Sequence, residues 1–205
     1  MTGTAPRIGM DRFIDIEWME LAAGAVRGEM PIDGLHDRLQ MAIPSLEVRK
    51  KTIGILNRMW LPADAAAREL AVAAAKLAAH GNGDRSAAFE AVAISAYPYY
   101  RQVLEHVGRL IRLQGSCSPG EVHRRMFEQH GKRTTVDQAT SYAFKTLVSW
   151  GMLVRQENKR LAAQQPLRLS PSAKELLDRA ANRSRDSVTP LPGCDPLLFP
   201  FALQQ

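Results

Sequence analysis

The segment from Thr134 to Trp150 has two chemically different faces, and it constrains the fold of this chain more than any other feature. Advancing by about 100° per residue from Val136 places four further apolar side chains on the same side: Ala139, Ala143, Leu147 and Trp150. The opposite side carries Thr134, Gln138, Ser141, Lys145 and Ser149, with Tyr142 at its margin. The pattern predicts a helix that packs through its apolar stripe and exposes a polar stripe, with the one acid, Asp137, in the first turn.

The residues before this segment predict two more helices. Ser118-Pro119-Gly120-Glu121 combines a capping box with proline at the first helical position, which makes a strong helix start. That helix is expected to end at Gly131, followed by the basic turn Lys132-Arg133. Further upstream, residues 97–113 predict another amphipathic helix, because apolar side chains recur there at helical spacing.

The residues after Trp150 predict a short β-hairpin and a closing helix. The expected elements are a strand over Met152–Gln156, a basic turn over Glu157–Arg160, a tip over Leu161–Gln165, a returning strand over Leu167–Leu169 and a helix that begins at Ser170-Pro171-Ser172. Helices, a basic hairpin and a closing helix follow one another in this order in winged helix-turn-helix modules. The order therefore predicts a mainly α fold with a small β-hairpin wing.

The first half of the chain predicts a helical bundle. Helical spacing and stop signals mark four segments before residue 97: 10–28, 35–43, Ser45–Trp60 and Ala65–His80. Asn82-Gly83-Asp84, which follows them, is typical of a turn. We therefore expect an N-terminal helical domain over residues 1–95, a winged helix-turn-helix domain over residues 96–183, and a proline-rich apolar tail over residues 184–205.

Positive charge is concentrated in the second half of the chain. Residues 1–95 carry 11 Lys and Arg against 12 Asp and Glu, whereas residues 96–185 carry 16 against 7, a net charge of +9. This asymmetry is typical of a module that faces a polyanion, because each basic side chain near a phosphate releases condensed counterions. A basic surface that is merely solvated is the alternative explanation.

The predicted polar stripe and the basic turns supply candidate contacts to double-stranded DNA. Glutamine can hydrogen-bond to adenine edges, lysine can reach guanine or phosphate, and serine and threonine can bind either base or phosphate. The candidates on the predicted recognition helix are Thr134, Thr135, Gln138, Ser141, Tyr142 and Lys145. The candidate phosphate contacts are Lys132, Arg133, Lys159, Arg160 and Arg168, and the candidates for additional phosphate contacts are Arg49, Lys50 and Lys51.

Three further features occur together in a known family. They are a helical first half with a basic third helix over Ser45–Trp60, the junction Ala96-Tyr97-Pro98, and the run Thr146–Leu153 that leads into the predicted wing. In this layout, over roughly residues 10–175, the chain resembles the BrxA family of BREX phage-defence systems. The resemblance implies a non-enzymatic DNA-binding accessory that acts beside larger modification and ATPase subunits, and it carries over no catalytic residues.

The sequence lacks the common motifs of catalysis, metal binding and membrane insertion. The five histidines form no HExxH pair, and there is no phosphate-binding loop and no GxSxG elbow. We therefore expect no enzymatic activity, no cofactor and no metal site. No apolar run is long enough to cross a bilayer, and residues 1–12 lack the features of a secretory signal, so a cytoplasmic protein without membrane contact is expected.

The sequence does not decide which partners other than DNA the protein has. The winged helix and the tail could instead hold together a larger complex, because winged helices also serve as protein-docking modules. The tail carries the apolar anchors Leu197, Leu198, Phe199 and Phe201, which either pack on the N-terminal helices or dock on a partner such as another defence subunit. The alanine-rich fourth segment could form a homodimer interface. A transcription regulator and a defence accessory would use the same module.

Overall fold

The computed structural model describes residues 8–164 and 168–185, without the side chains of Asn82, Ser184 and Arg185. This part of the chain is mainly helical and contains one two-stranded antiparallel sheet, which confirms the predicted mainly α class with a small hairpin. The helices are α1 (Ile16–Arg27), α2 (Ile32–Ala42), α3 (Leu46–Trp60), α4 (Ala65–Leu77), α5 (Asn82–Ala96), α6 (Pro98–Gln114), α7 (Pro119–His130), α8 (Thr134–Ser149) and α9 (Pro171–Arg185), and the strands are β1 (Leu153–Arg155) and β2 (Leu161–Ala163). None of the described helices combines the length and apolarity needed to cross a bilayer. The predicted tail lies outside the described residues apart from its first two positions.

Side-chain caps fix where the first helices begin. Ser45 and Asp64 cap α3 and α4 as the sequence indicates, and Asp64 Oδ1 accepts a hydrogen bond from Ala67 N at 2.8 Å. The first helix is shorter than predicted, because Asp15 Oδ1 accepts a hydrogen bond from Glu17 N at 3.0 Å and caps a helix that begins only at Ile16. Residues 8–15, which we call the N-terminal strap, form no helix or strand.

Helix α5 was not predicted from the sequence. Asn82-Gly83-Asp84, predicted to be a turn, instead forms the first turn of this helix. Its buried apolar residues are Ala87, Ala88, Phe89, Ala91, Val92, Ala93 and Ile94. The helix packs against α3, α4, α6 and α9, so it is apolar nearly all round and lacks the one-sided periodicity by which an amphipathic helix is found.

One hydrophobic core runs through both halves of the described chain. Trp60 of α3, Phe89 of α5 and Trp150 after α8 form a chain of rings, with centroids 5.9 Å and 6.0 Å apart. Helix α9, although it comes last in the described chain, packs mainly on α5 and also on α4. The N-terminal helices thus support the elements that follow residue 96. The division into domains at residue 95 remains a prediction.

A carboxyl group lies at the centre of this core. Glu90 of α5 is fully buried, and its Oε2 accepts a hydrogen bond from the Tyr100 hydroxyl at 3.1 Å. Its Oε1 has no hydrogen-bond partner among the described residues. Burial raises the pKa of Glu90 to about 8, against the smaller opposing effect of the Tyr100 hydrogen bond. The side chain is therefore mostly neutral at pH 7.

Replacing Glu90 with glutamine is expected to stabilise the protein at pH 8 by about 3 to 5 kcal/mol, since a pKa raised to about 8 costs this much at that pH. The native carboxyl stays protonated until about pH 8, whereas in the unfolded chain it ionises near pH 4.3, roughly. The free energy of unfolding of the natural protein therefore falls as the pH rises through this window. Glutamine has the shape of the protonated acid and does not titrate. Urea unfolding at pH 5 and pH 8 measures the effect, which should shrink at pH 5; equal effects at both values would contradict a titrating Glu90.

Candidate nucleic-acid interface

A capping box fixes where α7 begins, and a short turn connects α7 to α8. The Ser118 hydroxyl accepts a hydrogen bond from Glu121 N at 3.3 Å, and the Glu121 carboxylate accepts one from Ser118 N at 2.6 Å, which completes the predicted capping box. The Ser118 backbone hydrogen bond, helped by the Gln114 and Ser118 side chains, lowers the pKa of Glu121 to about 2. Helix α7 ends at Gly131, and the basic turn leads into α8 at Thr134.

The apolar face of α8 packs into the core, as the sequence indicates. All five residues of the predicted stripe are buried: Val136, Ala139, Ala143, Leu147 and Trp150. Thr140 is buried as well, and its hydroxyl donates to Val136 O at 2.8 Å and lies 2.8 Å from the Tyr99 hydroxyl of α6. The helix is thereby seated on α6 and α7.

The opposite face of α8 is open to solvent over most of its length. Among the predicted contacts, Lys132, Arg133, Thr134, Thr135, Gln138 and Lys145 are exposed, whereas Ser141 and Tyr142 are half-buried. The first half of the chain does not cover Gln138 or Lys145, which the polar stripe placed outward. A long partner can therefore approach this face without displacing part of the described protein.

His123 of α7 joins the two helices at the edge of the exposed face. Its Nε2 lies 3.3 Å from the Ser141 hydroxyl, and its Nδ1 lies 3.1 Å from Asp137 Oδ1. Burial lowers the pKa of His123, and Asp137 opposes this effect. His123 Nδ1 makes no hydrogen bond within the described chain despite this distance, so the three side chains are not linked as those of a hydrolytic triad are. The cluster instead orients α8 on α7 and gives Asp137 a partner within the protein.

The N-terminal strap holds the other end of α8. Ile14 N donates to the Thr146 hydroxyl at 3.1 Å, and Ile14 O accepts a hydrogen bond from the Trp150 indole at 3.0 Å. Ser149, which helical spacing placed on the outward stripe, donates to Asp15 Oδ2 at 3.3 Å. The partners lie 132 to 136 positions apart in the chain, so no local sequence pattern indicates these contacts. They leave the first turns of α8 as its most accessible part.

The hairpin after α8 is shorter than predicted. Strand β1 pairs with β2, which begins at Leu161. The prediction that Leu161–Gln165 form the tip was therefore wrong in its described part, because the hydrogen bond from Gln156 N to Arg160 O closes a three-residue loop over residues 157–159; Gln165 lies outside the described residues. The predicted returning strand over Leu167–Leu169 was also wrong in its described part, since Arg168 and Leu169 belong to no strand, while Leu167 lies outside the described residues.

Lys159 occupies the tip of the hairpin in a left-handed conformation. Its φ of 63° is the one positive φ of a non-glycine residue in the described chain. Lys159 N donates to Gln156 O at 2.9 Å, and Gln156 N donates to Arg160 O at 2.8 Å. Three-residue hairpin loops of this kind place glycine or asparagine at such a position, because other side chains are strained there. Lys159 is thus an exposed cation at a position where its backbone is strained.

Arg160, predicted to contact phosphate, is bonded to the start of α7 and is half-buried. Its Nε donates to the Ser116 hydroxyl at 2.7 Å, and its Nη2 lies 3.1 Å from both Ser116 O and Glu121 Oε2. The guanidinium therefore braces the hairpin against the capping box of α7. Of the two basic residues at this end of the hairpin, Lys159 is exposed and Arg160 is half-buried.

The remaining predicted phosphate contacts differ in how they are held. Arg168 and Lys50 are exposed. Arg49 donates to Ile43 O at 3.0 Å, and Lys51 pairs with Glu47 of the same helix at 2.8 Å. One further cation near α8 was not predicted from the sequence: Arg12 of the strap, whose Cζ lies 5.9 Å from the centroid of the Tyr142 ring. The contact of the strap with α8 brings Arg12 to the exposed face of that helix.

No protein-family model, curated protein or solved structure is significantly similar to this chain. Over the described ranges, no cluster of three or more His, Cys, Asp or Glu side chains could hold a metal ion. Function is therefore inferred from the geometry and chemistry of α8, the hairpin and the strap.

Proposed function

We propose that this protein is a non-enzymatic double-stranded DNA-binding protein. In this proposal α8 enters the major groove, and the β1–β2 hairpin, acting as the wing of a winged helix-turn-helix, lies along a neighbouring backbone. The observation that carries the proposal is the exposed face of α8, which presents Thr134, Gln138 and Lys145 beside a buried apolar face. A major groove about 12 Å wide admits one helix, and these side chains can bond to base edges or phosphates.

The charges around this helix support contact with a polyanion. Lys132 and Arg133 are exposed directly before the first turn of α8. Arg133 occupies the N-cap position, and its side chain makes no capping hydrogen bond. The first amides of α8 therefore lack a side-chain cap, and amides at a helix N-terminus favour a phosphate oxygen. The helix dipole adds to the attraction of the two cations.

The biological setting is proposed from the layout of the chain. The resemblance to the BrxA family favours an accessory or regulatory component of a phage-defence system of the BREX type. Such a component would bring DNA to larger subunits or control their genes, and both roles require the same DNA-binding face. Negligible DNA binding together with tight association to another protein would favour the alternative, a scaffold module of a larger complex.

Replacing Lys159 separates the stability of the hairpin from its proposed contact with phosphate. Lys159→Gly is expected to raise the free energy of unfolding by about 0.5 kcal/mol, because glycine relieves the left-handed strain. The same change should weaken duplex binding about threefold to fivefold and lower the slope of log affinity against log salt by about one. Urea unfolding and fluorescence anisotropy with a labelled duplex measure the two effects.

Lys159→Ala is the matched control, since it removes the charge but keeps the strain. It should weaken binding as much as Lys159→Gly while leaving the protein no more stable than the natural form. If both variants bind the duplex as tightly as the natural protein, the hairpin makes no phosphate contact. If the natural protein binds no duplex at all, the proposed function is refuted.

A further inference from the structure

Two cationic side chains approach the ring of Tyr142 on α8. Lys145 Nζ lies 5.5 Å from the ring centroid, and Arg12 Cζ of the strap lies 5.9 Å from the same centroid. Each cation is within the range over which an aromatic face attracts it. We call Arg12, Tyr142 and Lys145 the Arg12 cluster. It lies beside the exposed face of α8, beyond its first two turns.

The strap places Arg12 in this cluster independently of any ligand. The backbone of Ile14, two residues further on, is bonded to Thr146 and to the Trp150 indole at 3.1 Å and 3.0 Å. The Arg12 side chain is held as well, because its Nη1 donates to Asp11 O at 2.7 Å. The guanidinium is therefore preorganised at the edge of α8, which reduces the entropy lost when it binds a partner.

The acids near the cluster neutralise it incompletely. Arg12 lies 3.9 Å from Asp11 Oδ2 and 4.0 Å from Glu47 Oε1, both at the outer limit of an ion pair. The Glu47 carboxylate lies closer to Lys51, at 2.8 Å. The two cations near one ring repel each other, and anions bound beside them would reduce that cost. The Tyr142 hydroxyl supplies a further donor to such an anion.

We infer that the Arg12 cluster binds the phosphate backbone of DNA, one phosphate at each of its two cations, so that base reading is confined to the first half of α8. This inference rests on the proposed function. The sequence left guanine and phosphate as alternative partners of Lys145, and this inference assigns it to phosphate. Thr134, Thr135 and Gln138 remain as the base-reading residues, because they are exposed at the end of α8 that the strap leaves free. Recognition helices contact bases through their N-terminal residues, which agrees with this division.

The test compares the salt dependence and the sequence preference of charge variants. Arg12→Gln and Lys145→Gln keep a polar side chain and remove the charge, and Gln138→Ala removes one proposed base reader. Lys76→Gln on α4, which packs on α1, α5 and α9, is the control for the loss of one exposed charge. Affinities are measured by fluorescence anisotropy on one A·T-rich and one G·C-rich duplex at several salt concentrations, after circular dichroism confirms that each variant is folded.

The Arg12 and Lys145 variants should each bind both duplexes about threefold to fivefold more weakly and lower the salt slope by about one. Arg12→Lys should restore the slope. Gln138→Ala should leave the slope unchanged and alter the ratio of the two affinities. The inference is overturned if Arg12→Gln has the slope of the Lys76 control, or if Lys145→Gln changes the ratio and not the slope. Failure of the natural protein to bind either duplex would refute the proposed function itself, and this inference with it.

Discussion

A variant that lacks the charges of Lys132, Arg133 and Lys145 is expected to bind duplex DNA about 30- to 100-fold more weakly than the natural protein does at ~0.15 M salt. Each of these exposed side chains is proposed to neutralise one phosphate, and each lost contact returns counterions to the duplex. The slope of log affinity against log salt should therefore fall by about 2.7, since each phosphate contributes about 0.9. Fluorescence anisotropy titrations of the Lys132→Gln, Arg133→Gln, Lys145→Gln triple variant measure both quantities.

The matched control removes three charges from another side of the molecule. Lys76 of α4 and Lys174 and Arg179 of α9 lie on helices that pack against each other and against α5. Changing these three to glutamine lowers the net charge by the same amount. The control should retain most of the affinity and of the slope. Equal losses in both triple variants would mean that net charge alone, and not the face of α8, attracts the duplex.

Replacing Trp150 with alanine is expected to lower the free energy of unfolding by about 3 to 5 kcal/mol. The side chain is 2% exposed, and its ring packs against Phe89 and Tyr100 with centroids 6.0 Å and 6.2 Å apart. The variant also loses the indole donor and leaves Ile14 O, its acceptor at 3.0 Å, unpaired in a buried position. Urea unfolding followed by circular dichroism measures the loss.

A second variant shows whether the loss comes from burial. Val148, two positions earlier, is 36% exposed, and Val148→Ala should change the free energy of unfolding by about 0.5 kcal/mol or less. A loss below about 1 kcal/mol for Trp150→Ala would contradict the anchoring of α8 by the strap and the core. Because the strap contacts the same residues, the Trp150 variant should also weaken duplex binding where it remains folded.

The sequence predicted the parts of this fold that depend on local interactions. The capping box of Ser118 and Glu121 marks the start of α7, and the spacing from Val136 to Trp150 gives the buried stripe of α8 correctly. Both signals arise within a few turns of one helix, where the neighbours of a residue follow from helical geometry. The exposure of Gln138 and Lys145 follows from the same geometry.

Long-range packing decided what the sequence could not predict. Helix α5 is surrounded by other helices, so its apolar residues show no single face. The strap contacts α8 across more than half of the chain, which brings Arg12 to Tyr142 and removes Ser149 from the outward stripe. Arg160 belongs to a basic turn in the sequence, yet its Nε and Nη2 bond to Ser116 and Glu121. Charge pattern alone does not distinguish a bracing arginine from one that is free for a ligand.

The most direct test of the account is the affinity of the natural protein for a duplex at 0.05 M and 0.2 M salt. Lys132 and Arg133 before α8, Lys159 at the hairpin tip and the two cations of the Arg12 cluster together offer about four or five phosphate contacts. The affinity should therefore fall about a hundredfold or more between these two salt concentrations. The contradicting result is no measurable binding at 0.05 M salt, or an affinity that is the same at both concentrations.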